Sequence, residues 1–266
     1  MKEKEAEQLC LQCCQVVEEV ARFIRGELGK VRNEQIEVKS LNSLVSYVDK
    51  TAEEKLVAAF QRLLPDSTFL TEEETIAPEK GEYQWIIDPL DGTTNFLHQL
   101  PCFAVSVALR HFDQTILGVV YEVNQQECFY AWQGGGAFCN GKPISVSGRS
   151  KLEDALVATG FPYRDFSRMD KYFIVLQQFM KNSRGLRRFG AAAVDLAYVA
   201  CGRFDAFFEY GLSPWDVAAG AFLVEEAGGY VGDFKGNRNY LFGEEMIAAN
   251  PGISAELHKM ISQVFS

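Results

Sequence analysis

The hydrophobic period of this chain changes twice, and that change restricts its fold more than any other feature. Residues 3 to 28 carry Leu9, Cys13, Val16, Val20 and Ile24 at helical spacing up to Gly29, which predicts one amphipathic helix. Thr51-x-x-Glu54 reads as the start of a second, with Leu56, Ala59, Phe60, Leu63 and Leu64 on one face and Pro65 as its stop. Leu44 to Val48 lies between them as a short extended stretch. From Phe69 to about Val146 the pattern becomes short β-type runs: Trp85-Ile86-Ile87, Ala104 to Leu109, Ile116 to Tyr121 and Cys128 to Trp132, with Asn140-Gly141 as a hairpin turn. After residue 150, strands and helices alternate. Strands are expected at Leu156 to Ala158, Gly185 to Arg188, Ala206 to Tyr210, Tyr230 to Asp233 and Met246 to Ala249. Helices are expected near 168 to 181, 191 to 201, Trp215 to Ala227 and at the C-terminus. The chain is therefore expected to combine an α+β half, about 1–148, with an α/β half, 149–266. No Pro- or Ser-rich linker divides them, so they are expected to form one unit over 1–266.

Composition narrows the function classes. With 26 Lys+Arg against 36 Asp+Glu, a polyphosphate backbone would be repelled, so direct nucleic-acid binding is not expected. No apolar run is long enough to span a bilayer, and Met1-Lys2-Glu3-Lys4-Glu5 is unlike a secretory signal; a cytoplasmic protein without a membrane partner is expected. The 7 cysteines are an odd number in a chain too large to need stapling, which suits free thiols. Cys10-x-x-Cys13 lies in the first helical pattern with no histidine nearby and reads as buried helix-face thiols. Gly134-Gly135-Gly136 lacks the Lys-Ser/Thr of a phosphate loop and reads as a hairpin loop, and His98, His111 and His258 have no metal-ligand spacing. Serine and cysteine nucleophiles have no evident partner in the sequence.

Chemistry concentrates in Trp85-Ile86-Ile87-Asp88-Pro89-Leu90-Asp91-Gly92-Thr93-Thr94-Asn95. An apolar strand delivers Asp88 to a sheet end, Pro89 stiffens the exit, and Asp91 returns on a turn that Gly92 permits. Two carboxylates then converge without histidine or cysteine. That set suits Mg²⁺, which takes hard oxygen ligands at about 2.0 to 2.1 Å; the Leu90 carbonyl is a further candidate. Glu72-Glu73-Glu74 follows the short strand Thr68 to Leu70 and can bring one acid to the same edge, or form a solvated face. Asp216, in Ser213-Pro214-Trp215-Asp216, is either a helix-start charge complementing the macrodipole or another ligand.

Taken together, WIIDPLDGTTNF, the later SPWDVAAG and EEAGG, and FLTEE at 69–73 resemble the inositol monophosphatase family of Mg²⁺-dependent, Li⁺-sensitive phosphatases, over nearly the whole chain. The resemblance implies a layered αβαβα sandwich of the sugar phosphatase type, with helices packed on two sheets. It implies that Glu72, Asp88, the Leu90 carbonyl and Asp91 hold one or two Mg²⁺ and that Asp216 completes the second site. Thr93 would with Glu72 position the attacking water. Gly92 and Thr93 would offer backbone N–H groups to phosphate. Asp49 matches a position that contacts a third, loosely held metal through water, although it also reads as an N-cap-region residue of the second helix. Gly190, Ala191 and Ala192 match a loop that meets the sugar ring, and Glu209 matches a hydroxyl-binding acid. Asp195 and Arg187 are further polar candidates, while Arg187 and Arg188 also read as surface salt-bridging residues. Two departures stand out: Thr71 replaces a common glycine before the Glu-Glu pair, and Ser43-Leu44-Val45-Ser46 replaces Asp-Leu-Val-Thr.

The implied activity is hydrolysis of a small phosphate monoester, inositol 1-phosphate first, with fructose 1,6-bisphosphate or another sugar phosphate as the alternative. A homodimer is implied too. A covalent phospho-aspartate route through Asp88 or Asp91 ranks below a ligand role for both. Four acids sharing one site predict weak metal binding without phosphate, partial protonation, and activity favouring mildly alkaline pH. The non-enzymatic alternative is a protein-binding regulator of transcription antitermination, as in a bacterial branch of the family.

Overall fold

The computed structural model describes residues 3–40, 43–162 and 165–265. Helices α1 (Glu3–Glu27) and α2 (Tyr47–Leu63) flank a two-stranded hairpin, β1 (Ile36–Ser40) and β2 (Ser43–Ser46). Strand β2 coincides in part with the extended stretch expected at Leu44 to Val48, of which Tyr47 and Val48 already belong to α2, whereas β1 is absent from the sequence expectations although Ile36-Glu37-Val38-Lys39 alternates in polarity. Helix α2 also begins earlier than Thr51. Ser46 caps it, its hydroxyl accepting from the Val48 amide at 3.1 Å while Asp49 accepts from the Ser46 amide at 2.9 Å. This reciprocal box satisfies amide donors left over at the helix start, so Thr51 and Glu54 fall in the helix interior.

Next come β3 (Thr68–Thr71), β4 (Tyr83–Asp91), the short α3 (Thr93–Leu97), β5 (Ala104–His111), β6 (Gln114–Glu122), β7 (Glu127–Trp132), β8 (Gly136–Cys139) and β9 (Lys142–Ile144). These strands form a seven-stranded sheet in chain order, antiparallel except for the parallel β3–β4 pair. Asn140 and Gly141 both have positive φ, 47° and 79°, as the expected Asn-Gly turn between β8 and β9 requires.

The second part holds β10 (Leu156–Thr159), α4 (Met169–Asn182), β11 (Gly185–Arg187), α5 (Ala192–Ala200), β12 (Ala206–Tyr210), α6 (Pro214–Glu226), β13 (Tyr230–Gly232), β14 (Glu245–Ala249) and α7 (Ser254–Phe265). Its five strands are ordered β11-β10-β12-β14-β13, parallel on the β11 side and antiparallel on the β13 side.

The period-2 alternation of β4 assigns the layers. Trp85 and Ile87 join α1 and α2 in one apolar cluster, whereas Ile86 joins α5 and α6 on the opposite face. Helices α4 and α7 cover the far side of the five-stranded sheet. The order is helix, sheet, helix, sheet, helix, as expected. Helix α6 approaches β6 closely because Gly118 has no side chain: a Cβ there would stand 2.9 Å from the Ala219 carbonyl oxygen. Cys10 and Cys13 are buried thiols on α1 and the three glycines at 134–136 close the β7–β8 connection, both as read from sequence.

Candidate active site

Strand β4 does not end at Pro89 but runs on to Asp91 through a bulge. Asp88 pairs with Ser106 and Asp91 with Ala104, so β4 spends one residue more than β5 between those pairs. In a regular strand, residues three apart such as Asp88 and Asp91 point to opposite faces; the bulge takes up the odd residue and re-aims Asp91, and Pro89 is tolerated there because a ladder bond is already missing. Gly92 then turns the chain with φ 90° and caps α3.

The two aspartates are held differently. Asp88 is buried, and its Oδ1 accepts from the Leu90 amide at 2.9 Å. Burial pushes its pKa well above the ordinary range, and the charges of Glu72, Asp91 and Asp216 and a hydrogen bond with Glu72 push the same way. Asp91 lies at the N-terminus of α5, where its Oδ2 accepts from the Ala193 amide at 2.7 Å. Burial outweighs that bond and lifts its pKa to about 7. Glu72 follows β3, its amide continuing the parallel pairing to the Ile87 carbonyl at 3.2 Å. Asp216 sits in the first turn of α6 and accepts from the Ser213 amide at 2.7 Å, a capping box as well as a candidate ligand.

Glu72, Asp91, Gly92, Thr93, Gly190, Ala191, Ala192, Glu209 and Asp216 border one cavity, with Asp195 and Arg188 in the same wall. Asp88 lies behind it. Thr93 Oγ1 donates to Asp49 Oδ1 at 2.9 Å and lies 3.0 Å from the Leu90 carbonyl oxygen. Asp49 is buried, and its Oδ2 is taken by the Ser46 amide and hydroxyl, so the N-cap-region reading holds and a contact to Thr93 is added to it. Arg187 stays outside the cavity, exposed and donating to the Leu186 carbonyl at 2.8 Å. Arg188, read beforehand only as a surface or interface cation, is half-buried and places positive charge near Asp91, Asp195 and Glu209.

Three positioning groups escaped the sequence reading. Glu53, fully buried on α2, accepts from Thr71 Oγ1, the Glu73 and Thr75 amides and Thr75 Oγ1, at 2.7 to 2.9 Å, and so fixes the loop that carries Glu72. Thr71, noted as a departure, is thus used as a donor. An acid three residues before Leu56 and seven before Phe60 on the apolar face of α2 was the available signal. Lys39 on β1 reaches Glu72 at 3.3 Å and Glu73 at 2.5 Å. Asn95 Nδ2 joins the Cys102 and Phe189 carbonyls, at 2.7 and 2.8 Å, tying the β4 exit to the loop before α5.

Whether this set suits a divalent cation can be judged from its donors. As the side chains stand, no three histidine, cysteine or carboxylate groups among the described residues surround a common ion position. Yet four carboxyls of mutually repelling charge share one corner, Asp88 and Asp91 buried and Glu72 and Asp216 half-buried. All the donors are oxygens. The set fits a hard ion such as Mg²⁺.

A layered helix–sheet sandwich with an acidic, oxygen-only corner beside a polar cavity defines a class of phosphate-ester enzymes. The chain belongs to the inositol monophosphatase family, whose model matches residues 5–265. It is 40% identical over 253 residues to an inositol-1-monophosphatase of Mesorhizobium japonicum, covering 95% of each chain. It is 45% identical over 235 residues to the Nus factor SuhB of Pseudomonas aeruginosa, covering 85% of this chain and 87% of that one. Among solved structures, the extragenic suppressor protein suhB from Bartonella henselae superposes with a TM-score of 0.89 at 40% identity, over 94% of this chain and 96% of that one. The family acts on small phosphate esters and is generally Mg²⁺-dependent. No described helix is long and apolar enough to cross a membrane.

Proposed function

We propose that this protein hydrolyses a small phosphate monoester with Mg²⁺, inositol 1-phosphate before fructose 1,6-bisphosphate or another sugar phosphate. The observation that carries the reading is the acidic corner of Glu72, Asp88, Asp91 and Asp216 at a polar cavity. Those carboxylates and the Leu90 carbonyl would hold the Mg²⁺, which would supply positive charge to the phosphate ester.

The chain's own groups prepare the attack. By giving its proton to Asp49, Thr93 Oγ1 keeps its lone pairs to accept a proton from a water, and Glu72 offers a second acceptor in the same cavity wall. The Ala192 and Ala193 amides partly offset the charge of Asp91 and fix its carboxyl at the start of α5. All lining the same cavity, Gly92 and Thr93 would offer backbone N–H groups to the phosphate, and Gly190, Ala191, Ala192 and Glu209 would meet the alcohol. The same reading expects inhibition by Li⁺ and a homodimer.

Phosphate release from inositol 1-phosphate and fructose 1,6-bisphosphate, with and without Mg²⁺, tests it. Metal-dependent turnover that Asp91→Asn abolishes is the expected result; a folded wild type inactive on both esters and on a wider phosphate panel would refute it. A second reading, a regulator bound to the transcription machinery, rests on the 45% identical relative named Nus factor SuhB. Retention of that binding in the inactive Asp91→Asn variant would separate the two roles.

A further inference from the structure

Asp195 borders the cavity from the first turn of α5 and is only 1% exposed. Its Oδ1 is fully buried and meets no hydrogen-bond donor. A carboxyl oxygen removed from water without a partner is costly, and such a group persists where a ligand or an ordered water completes it. A helix-start charge alone would be better solvated at the surface. The charged groups that face it are Glu209 on β12 and Asp91 on β4, which repel it, and Arg188, which attracts it. Glu209 is itself nearly buried, and Gly160 makes room for it: a Cβ at 160 would fall 2.0 Å from both carboxyl oxygens. This part of the cavity lining therefore holds two acids, one buried carboxyl oxygen without a donor, and one cation. It calls for a ligand that brings several O–H donors.

We propose that Asp195 is a specificity residue for the alcohol part of the substrate, accepting hydroxyl protons beside Glu209 and so selecting a hydroxyl-rich ring phosphate over an ester that lacks hydroxyls. This rests on the phosphatase reading above. The hydroxyls that the ring brings satisfy Oδ1 and its neighbour; a bare aryl ester leaves them unpaired, and an unpaired buried polar group is what makes such discrimination steep.

The test compares wild type, Asp195→Asn and Asp195→Ala on inositol 1-phosphate and p-nitrophenyl phosphate at saturating Mg²⁺. The ratio of kcat/KM for the polyol ester to that for the aryl ester is expected to fall about 10- to 100-fold in Asp195→Ala, carried by KM. The isosteric Asp195→Asn, which keeps one acceptor oxygen, is expected to recover part of it. A purely structural role would lower both esters together, and an unchanged ratio in both variants overturns the proposal. If wild type turns over neither ester, the phosphatase reading fails first. Calorimetric titration with inositol 1-phosphate and with inorganic phosphate then decides: an Asp195-dependent affinity for the first alone supports the site, and equal affinities overturn it.

Discussion

Removing the cation turns the acidic corner into a measurable defect. Burial raises Asp91 from 3.8 to about 7, so between those values the folded chain holds a proton that the unfolded chain has released. A carboxyl with a raised folded pKa contributes stability that is fully present below its unfolded pKa and is lost as pH rises toward its folded one. The slope approaches about 1.4 kcal/mol per pH unit for one group and falls off near its folded pKa, so Asp91 alone accounts for roughly 2 kcal/mol between pH 5 and 7. In a chain of 266 residues that is a fall in Tm of about 4 °C. Burial moves Asp88, Asp195 and Glu209 in the same direction. Thermal unfolding followed by circular dichroism in EDTA should therefore show Tm falling from pH 5 to 7. Saturating Mg²⁺ should flatten the curve, because metal binding favours the ionised ligands. Asp91→Asn removes the titrating group without changing its shape, so its slope in EDTA should be shallower and its Tm at pH 8 above that of wild type. The difference between the two proteins reports Asp91 together with the part of the Asp88, Asp195 and Glu209 shifts that its charge causes. Equal slopes, or a wild-type Tm that climbs over this range in EDTA, would refute the reasoning.

Three substitutions probe the supports of the site. Glu53→Ala removes the acceptor of four donors in the loop at 71–75, and the Mg²⁺ concentration giving half-maximal activity should rise about 10- to 100-fold; an unchanged metal dependence would deny the role. Gly160→Ala must displace the Glu209 carboxylate, since the added Cβ would lie 2.0 Å from it, and KM for inositol 1-phosphate should rise more than kcat falls. Gly118→Ala drives a Cβ against the Ala219 carbonyl and should cost about 1 to 3 kcal/mol in chemical denaturation, because the obstacle is helix backbone and not a movable side chain; a loss below about 0.5 kcal/mol would show that α6 can back away.

What the sequence made legible was local. The strand before Asp88, the helices α4 to α7 and the turn at Asn140-Gly141 each carry their own signal in period or turn chemistry, and the structure places them where that signal points. Misreadings arose where two local signals competed or where the determinant was distant. Ser46-x-x-Asp49 and Thr51-x-x-Glu54 both resemble helix starts. Only pairing of β2 with β1, which extends the chain as far as Ser46, selects the first. The bulge at Pro89 is equally silent, since it exists only in relation to the register of β5.

The residues of the site divide in the same way. Asp88 and Asp91 advertise themselves through the run from Trp85 to Asn95, and Glu72 and Asp216 through the resemblance of the segments around them to the family. Glu53, Asn95 and Arg188 do not, because each acts across more than 18 residues of chain or through groups that burial alone makes significant. Asp195 is the sharpest case. In sequence it is an ordinary acid in the first turn of a helix, a place where negative charge needs no further reason. Only the structure shows that its carboxyl is enclosed instead of solvated, with one oxygen unpartnered and a second acid nearby. The same low-dielectric enclosure that makes the metal corner demand a cation makes the Asp195 carboxyl demand a hydrogen-bond partner. A hydroxyl-rich alcohol carrying one phosphate answers both demands, and a substitution at Asp195 should weaken only the second.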